Sequence, residues 1–419
     1  YPLRRLLPQV PPPAGGLRPP ALREEKLSPR RASQPRGDQS AFSPLPQQSR
    51  SGSDYRNGDP SGNELNERRI PAGMRILIET HHPSDVHFWK YIVRELIKRE
   101  HEVLLLSRDR DVMKRLLEAY PWVPYKIISS MSANNRFPLL ELFNRQIQVA
   151  REIFRFKPDV VASLMGSYTQ SAKLFGIRNL VFTDSESQHI NHRIAHPFAD
   201  AVFTPACFWK DLGRKQRRYN GYHELAFLHP EYFEPRPEVL KMLGVEAGGY
   251  IIMRLSAWNT LHDIGQQGLG EAAYEFVQQW KHRYRIFIVP EEGKCDPRLS
   301  EHVFDLPPDW FHDALYYARF VLTEGASTAS EAACMGVPTV YVNSTKNLGY
   351  LEDLEEKYGL VAGFAEPAAA LTIADTWLNK DAAAQMQQFR AAASRMIAAN
   401  QDVTAYTVRV LIQGIPKRN

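Results

Sequence analysis

Residues 323–338 read TEGASTASEAACMGVP and follow directly on the apolar run Phe320-Val321-Leu322. The pattern is a strand end, a turn of small residues (Gly325, Ala326, Ser327), then a short helix that carries Glu331 and stops at Gly336-Val337-Pro338. A small-residue turn into a helix leaves backbone N–H groups without partners, with the positive end of the helix dipole behind them. That geometry suits a phosphate group. The same residues, Thr328-Ala-Ser-Glu331, also spell a capping box in which Glu331 would serve only its own helix. On the residues alone both readings stand.

The rest of the chain follows the α/β pattern that this stretch sets. Residues 1–73 are rich in Pro, Arg, Ser, Gln and Gly, have no helical or strand period, and read as a disordered extension. Met74-Arg-Ile-Leu-Ile78 looks like a natural start running into a first strand, which makes residues 1–73 an upstream extension without catalytic function; a basic tether is the alternative. A polar loop ETHHPSD (79–85) and a helix with apolar Val86, Trp89, Val93 and Leu96 follow. Strands are expected at 101–106, 158–163, 180–183 and 201–204, and a second series at 250–253, 285–289, 320–322 and 339–342. Strands alternating with helices predict two Rossmann-like domains, at 74–240 and 241–419, facing each other across a cleft. The Ala-rich stretch 382–412 reads as helix that packs back across the first domain.

Composition narrows the class. A chain of 419 residues buries sizeable cores. A net charge of +5 implies no general polyanion partner, and no aromatics interleave with basic runs, so nucleic acid is not expected. Cys207, Cys295 and Cys334 have no paired spacing, which argues for a reducing, cytoplasmic setting and against a zinc site. There is no run of 18 apolar residues, and the first residues lack the apolar segment of a signal peptide. The run Arg214-Lys-Gln-Arg-Arg218 is either a solvated helix end or an attraction for the inner face of an anionic membrane.

With these elements in view, the chain resembles the GT-B architecture shared by nucleotide-sugar glycosyltransferases and the non-hydrolysing UDP-N-acetylglucosamine 2-epimerases. More closely it resembles a bacterial and archaeal family known only as a domain of unknown function with that architecture. The matching segments are HPSDVHF (82–88), REHEVLL (99–105), residues 198–230, RLSAWNTLHDIGQ (254–266) and LEEKYGL (354–360). The resemblance implies that Glu331 holds ribose hydroxyls and that the turn Gly325, Ala326, Ser327 and Thr328 faces phosphates. Glu324 lies seven positions before Glu331, one short of the glutamate spacing of many retaining transferases, and otherwise reads as a strand-end carboxylate. Arg254 and His262 are expected to donate to phosphate, with Ser256 or Asn259 fixing their loop; an Arg–Asp263 surface pair is the plainer alternative.

For the first domain the resemblance supplies a test. The epimerases place an acid after the strand at 158–163, where this chain has Ser167; the next loop keeps Asp184 and Glu186, and the following motif keeps Arg193 but not its Glu. Two of three acids missing argues against epimerisation by the familiar route. An inverting transferase needs only a base for the acceptor hydroxyl, for which Asp85, His87, Asp184 and Glu186 are the candidates. His81, His82, Asp85 and His87 resemble a metal site in composition, but the spacing supports none, so no metal and no cofactor are expected. Asp85 equally suits a helix N-cap. The expectation is a glycosyltransferase that uses a nucleotide sugar, UDP-linked by preference, and a saccharide or lipid-linked acceptor, in cell-surface polysaccharide or glycolipid synthesis. The alternatives are an epimerase or hydrolase of the same donor, and a non-catalytic nucleotide-sugar binder or assembly protein.

Overall fold

The computed structural model describes residues 73–109, 112–130, 138–256, 268–291, 295–344 and 348–416. The extension 1–72 and the loop residues Asn259, His262 and Asp263 lie outside the described residues. The first half builds a seven-stranded parallel sheet from β1 (Arg75–Glu79), β2 (Glu102–Asp109), β3 (Tyr125–Ser130), β4 (Val160–Ser163), β5 (Arg178–Phe182), β6 (Ala201–Pro205) and β7 (Gln216–Tyr219), in the order β3-β2-β1-β4-β5-β6-β7. Its helices are α1 (Pro83–Lys98), α2 (Met113–Ala119), α3 (Pro138–Phe156), α4 (Thr169–Leu174), α5 (His189–Ile194) and α6 (Leu225–Leu228).

After α7 (Glu238–Leu243), the second half carries β8 (Tyr250–Leu255), β9 (Arg285–Pro290), β10 (Phe320–Thr323), β11 (Thr339–Val342) and β12 (Val361–Phe364), in the parallel order β12-β11-β10-β8-β9. Its helices are α8 (Glu271–Trp280), α9 (Phe311–Tyr317), α10 (Ala326–Cys334), α11 (Gly349–Tyr358), α12 (Pro367–Leu378), α13 (Ala382–Ala399) and α14 (Val403–Gln413). Strands such as β4, β6, β10 and β11 are buried along their whole length, as a sheet covered on both faces requires.

Two sheets of this kind were expected, but with differences. The run 214–218 is not a helix end: Gln216–Tyr219 is an edge strand, with Gln216 and Tyr219 buried and Arg218 donating to the carbonyls of Ala206 and Lys210. A basic strand at a sheet edge has no apolar alternation for sequence reasoning to find. The Ala-rich stretch breaks at Asn400–Asp402, where Asp402 caps a new helix by accepting from Ala405 N. Only α14 crosses to the first half, where the Thr404 hydroxyl donates to Ala226 O at 2.7 Å and Arg217 Nε to Pro416 O at 3.0 Å.

The strand orders fix where sites form. In the first sheet, successive strands leave β1 in opposite directions, so the crossover helices diverge between β1 and β4. In the second the divergence falls between β8 and β10. Ligands of open parallel sheets bind at such points, beyond the carboxyl ends of the strands.

Candidate functional site

At the β1/β4 divergence stand Glu79, the last residue of β1, and Ser167, in the loop after β4. The Ser167 hydroxyl lies 2.9 and 3.1 Å from the two Glu79 oxygens and 2.8 Å from His81 Nε2. On the other side of the same imidazole, Arg145 of α3 approaches Nδ1 at 3.0 Å. A guanidinium only donates, so Nδ1 accepts and the ring proton sits on Nε2. The result is a directed chain, Arg145 to His81 to Ser167 to Glu79, ending on a buried carboxylate. Burial pushes the Glu79 carboxyl up, but His81, Arg145 and Ser167 together hold it below its ordinary value.

Asp85 is engaged elsewhere. Helix α1 begins at Pro83 with His82 as N-cap, and Asp85 Oδ2 accepts from His81 N at 2.7 Å and His82 N at 3.3 Å, completing a capping box. Burial raises its pKa against the pull of those donors. His82 caps Ser84 N at 3.3 Å, while the His87 ring sits 4.4 Å from that of His312. The three histidines thus go to different partners and do not converge on one point.

At the end of β5 the next pair forms. Asp184 Oδ2 lies 3.1 Å from His223 Nδ1, and the Ser185 hydroxyl donates to the other Asp184 oxygen at 3.0 Å. No described residue bonds His223 Nε2. Burial would lower the His223 pKa, but Asp184, Glu224 and Asp85 outweigh it and raise it; Asp184 is correspondingly lowered. This is an acid–imidazole dyad whose second nitrogen is buried without a described partner. Glu186, by contrast, accepts from Trp209 N at 3.2 Å and Gly349 N at 3.3 Å, and burial raises its pKa to about 7. Gly349 is required there, because a Cβ would strike the Cys207 carbonyl. Glu186 therefore splices the first half to the start of α11.

At the β8/β10 divergence lies the stretch 323–338. Gly325 is the N-cap of α10 and no side chain caps it; the first N–H taken up by the helix is that of Ala329, donated to Gly325 O at 3.1 Å. The capping box of 328–331 does not form, and among the described residues nothing accepts from the N–H groups of Ala326, Ser327 and Thr328. Arg254, at the end of β8, pairs in register with Thr323 and packs beside Gly325; its Nη1 also donates to Val289 O at 3.0 Å. Glu324 takes the strand-end role: its carboxylate accepts from Ser256 N at 2.7 Å and Leu269 N at 2.6 Å, pinning both ends of the segment that includes His262. Glu331 Oε1 lies 3.2 Å from His312 Nε2, both buried.

The contacts that join the carboxyl ends of the two sheets include His87 to His312, Glu186 to Gly349, Tyr222 to Asp353, and the Ser330 hydroxyl to Glu224 Oε1 at 2.5 Å. Sequence reasoning missed Glu79, Arg145, His223, Glu224 and His312. His223 and Glu224 were within a matching segment and follow a strand, the one signal available for them. Glu79 and Ser167 are 88 residues apart and meet only through sheet pairing.

A family model described as "Protein of unknown function (DUF354)" matches residues 74–358. An uncharacterized protein of Methanocaldococcus jannaschii, MJ0665, is 23% identical over 296 residues, 68% of this chain and 86% of its own length. Among solved structures, the UDP-GlcNAc 2-epimerase of Methanocaldococcus jannaschii in complex with UDP-GlcNAc and UDP superposes with a TM-score of 0.57 at 15% identity, over 74% of this chain and 94% of that one. The spinosyn forosaminyltransferase SpnP superposes with a TM-score of 0.53 at 13% identity, over 81% of this chain and all of that one, 100%. At these identities the likeness is one of fold: the chain has the GT-B architecture.

Proposed function

Because the chain belongs to the DUF354 family, whose description names no activity, we propose its function from the site: it binds a nucleotide sugar, preferentially UDP-linked, and transfers the sugar in cell-surface polysaccharide or glycolipid synthesis. The observation that carries this reading is the open first turn of α10 at the β8/β10 divergence, beside Arg254. Three N–H donors at the positive end of a helix, next to a guanidinium, form a receptor for a diphosphate. Glu331, at the far side of the same helix, reaches the ribose in this reading on releasing His312 or through it. The epimerase solved with UDP-GlcNAc and UDP and the forosaminyltransferase support the same substrate class.

The first half then supplies the base. His223, held by Asp184 at Nδ1, takes the proton of an acceptor hydroxyl on Nε2 as that oxygen attacks the anomeric carbon and the nucleoside diphosphate leaves. A second reading, epimerase or hydrolase of the same donor, gains from Glu79: its carboxylate stands 2.9 Å from Ser167, so the acid that the loop lacks in sequence is present in space. A non-catalytic binder shares the donor site and differs by the absence of turnover.

The test is calorimetric titration of the chain, wild type and Arg254→Ala, with UDP, GDP, CDP and dTDP. The expected result is micromolar to millimolar binding of one of the four and at least a tenfold loss in the variant, the effect of one charge-assisted contact of about 1.5–3 kcal/mol. Folded wild-type protein that binds none of the four at millimolar concentration rejects the donor site. Turnover of UDP-GlcNAc to free UDP only when an acceptor glycan is added selects the transferase; conversion to the 2-epimer without acceptor selects the epimerase.

A further inference from the structure

Helix α5 buries none of its six residues. A short helix that no core holds is an unusual use of chain, and its outward face carries Ile190, 64% exposed, and Ile194, 57% exposed. Neighbouring segments add more apolar surface. Gln170 of α4 donates to Ile194 O at 2.9 Å, tying α5 to a helix that ends in Leu174, 83% exposed. Lys210 Nζ lies 2.8 Å from His189 Nδ1, tying α5 to a loop that presents Trp209, 53% exposed. Of the twelve large hydrophobic side chains found exposed among the described residues, five lie on α5 or on the segments next to it: Leu174, Ile190, Ile194, Phe198 and Trp209; Phe175 lines a separate concavity beside α3.

The same face holds a concavity of about 350 Å³, lined by His189, His192, Arg193, His196, Lys210 and Lys215 among others. Among the described residues, no carboxylate stands within ion-pair distance of Arg193, Lys210, Arg214 or Lys215. His196 is 95% buried, 5% exposed, and its Nε2 has no described partner although it lines the concavity. Asp211, the acid in the lining, accepts from Gly213 N on Oδ1 at 2.8 Å, and the cations and histidines around the hollow outnumber it. Lys210 is held by His189 and Lys215 donates to Pro197 O, but neither has its charge balanced by a described carboxylate. Cations of this kind around a hollow, with projecting Ile, Leu, Phe and Trp beside it, match the two layers of a bilayer surface: anionic head groups above acyl chains.

We propose that this α4–α5 face docks on an anionic lipid bilayer, with a lipid phosphate seated in the basic concavity and the ring of apolar side chains entering the head-group layer. A nucleic-acid backbone would match the cations but not the aliphatic ring, and an apolar protein partner would match the ring but not the unpaired charge. The inference rests on this surface and not on the nucleotide site. It makes the acceptor a molecule held at the membrane.

The experiment is vesicle flotation of the full chain without nucleotide, using phosphatidylcholine vesicles with and without 30% phosphatidylglycerol, a chosen fraction in the range of ordinary anionic membranes. Binding is expected only to the anionic vesicles and is expected to weaken with salt. Arg193→Ala with Lys210→Ala should lower the partition coefficient roughly 30-fold, since each cation near such a surface contributes about fivefold. Ile190→Ser with Ile194→Ser, on a helix that buries nothing, should keep the fold and also lose binding. Failure to float with anionic vesicles at low salt overturns the proposal, as does binding that both double variants retain, which would locate the attraction in another part of the chain. Vesicle binding without any nucleotide binding would leave the docking face standing and reject the donor site.

Discussion

His223 has a carboxylate on Nδ1 and no described partner on Nε2. The pull of Asp184 overcomes burial and raises its pKa above the ordinary imidazole value. If His223 is the base, turnover needs it unprotonated, so kcat/KM climbs with pH through a pKa above 6.5. Asp184→Asn removes the charge that raises it. The acid limb of the pH profile should then move to lower pH while the plateau falls by about 10²–10⁴-fold, the usual worth of an oriented general base. A profile whose acid limb stays in place in the variant assigns the limb to another group and removes His223 from the chemistry. The identity of this residue was not legible in the chain: nothing in GYHELAF marks which of two adjacent polar residues meets an acid 39 positions earlier, whereas Asp184 itself stood out as an acid after a buried strand.

Among the elements, the end of β10 was read best. Phe320 to Pro338 gave a strand, a small-residue turn and a helix with Gly336 just past its end, and the structure has β10, the N-cap Gly325, α10, and Gly336 at φ +68°. Local signals sufficed because each boundary is set by residues next to it. The capping of α1 is local as well, and Asp85 serves it as the sequence suggested, though from the third helical position with His82 as the N-cap. The edge strand β7 escaped because its cause is not local: it exists by pairing with β6. Glu324 illustrates the same limit. As a letter it is one more acid near the site; in space it clamps Ser256 and Leu269. Its removal should therefore act on that element first. In Glu324→Ala, hydrogen exchange at Ser256 and Leu269 should accelerate by more than tenfold, because two charge-assisted bonds of about 1.5–3 kcal/mol each are lost, while Ile76 to Ile78 in β1 keep their protection. Unchanged exchange at both amides would mean that Glu324 does not hold the loop ends.

For the molecule as a whole, the junction of the halves contains a carboxyl that resists ionisation. Glu224 is buried, accepts from Ser330, and has its pKa raised to about 7 by burial and by nearby Asp184. The folded chain thus keeps a proton on this group that the unfolded chain releases above pH 4.5, so the group's contribution to stability falls as pH rises from 4.5 to 7 and is fully lost above it. Glu224→Gln has no proton to lose. Its stability relative to the wild type should rise by on the order of 2 kcal/mol between pH 5 and pH 8, read from urea midpoints at the two pH values. A constant difference across that range would show that Glu224 ionises freely in the folded protein. Lys90 acts in the opposite sense and in a different window: burial lowers its pKa to about 7, so its contribution recovers as pH rises from 7 to 10.5.

The chain passes from one sheet to the other near residues 220–249 and returns at Asn400–Asp402, where Gln401 N donates to Asn220 O at 2.9 Å. The outgoing and returning strands of chain are thus laced side by side. A body tethered to another at two adjacent places cannot slide or twist freely; it swings about the line through them. Any opening of the two sheets is reduced to a single angle, like a book on its spine, and the groups farthest from that line travel most.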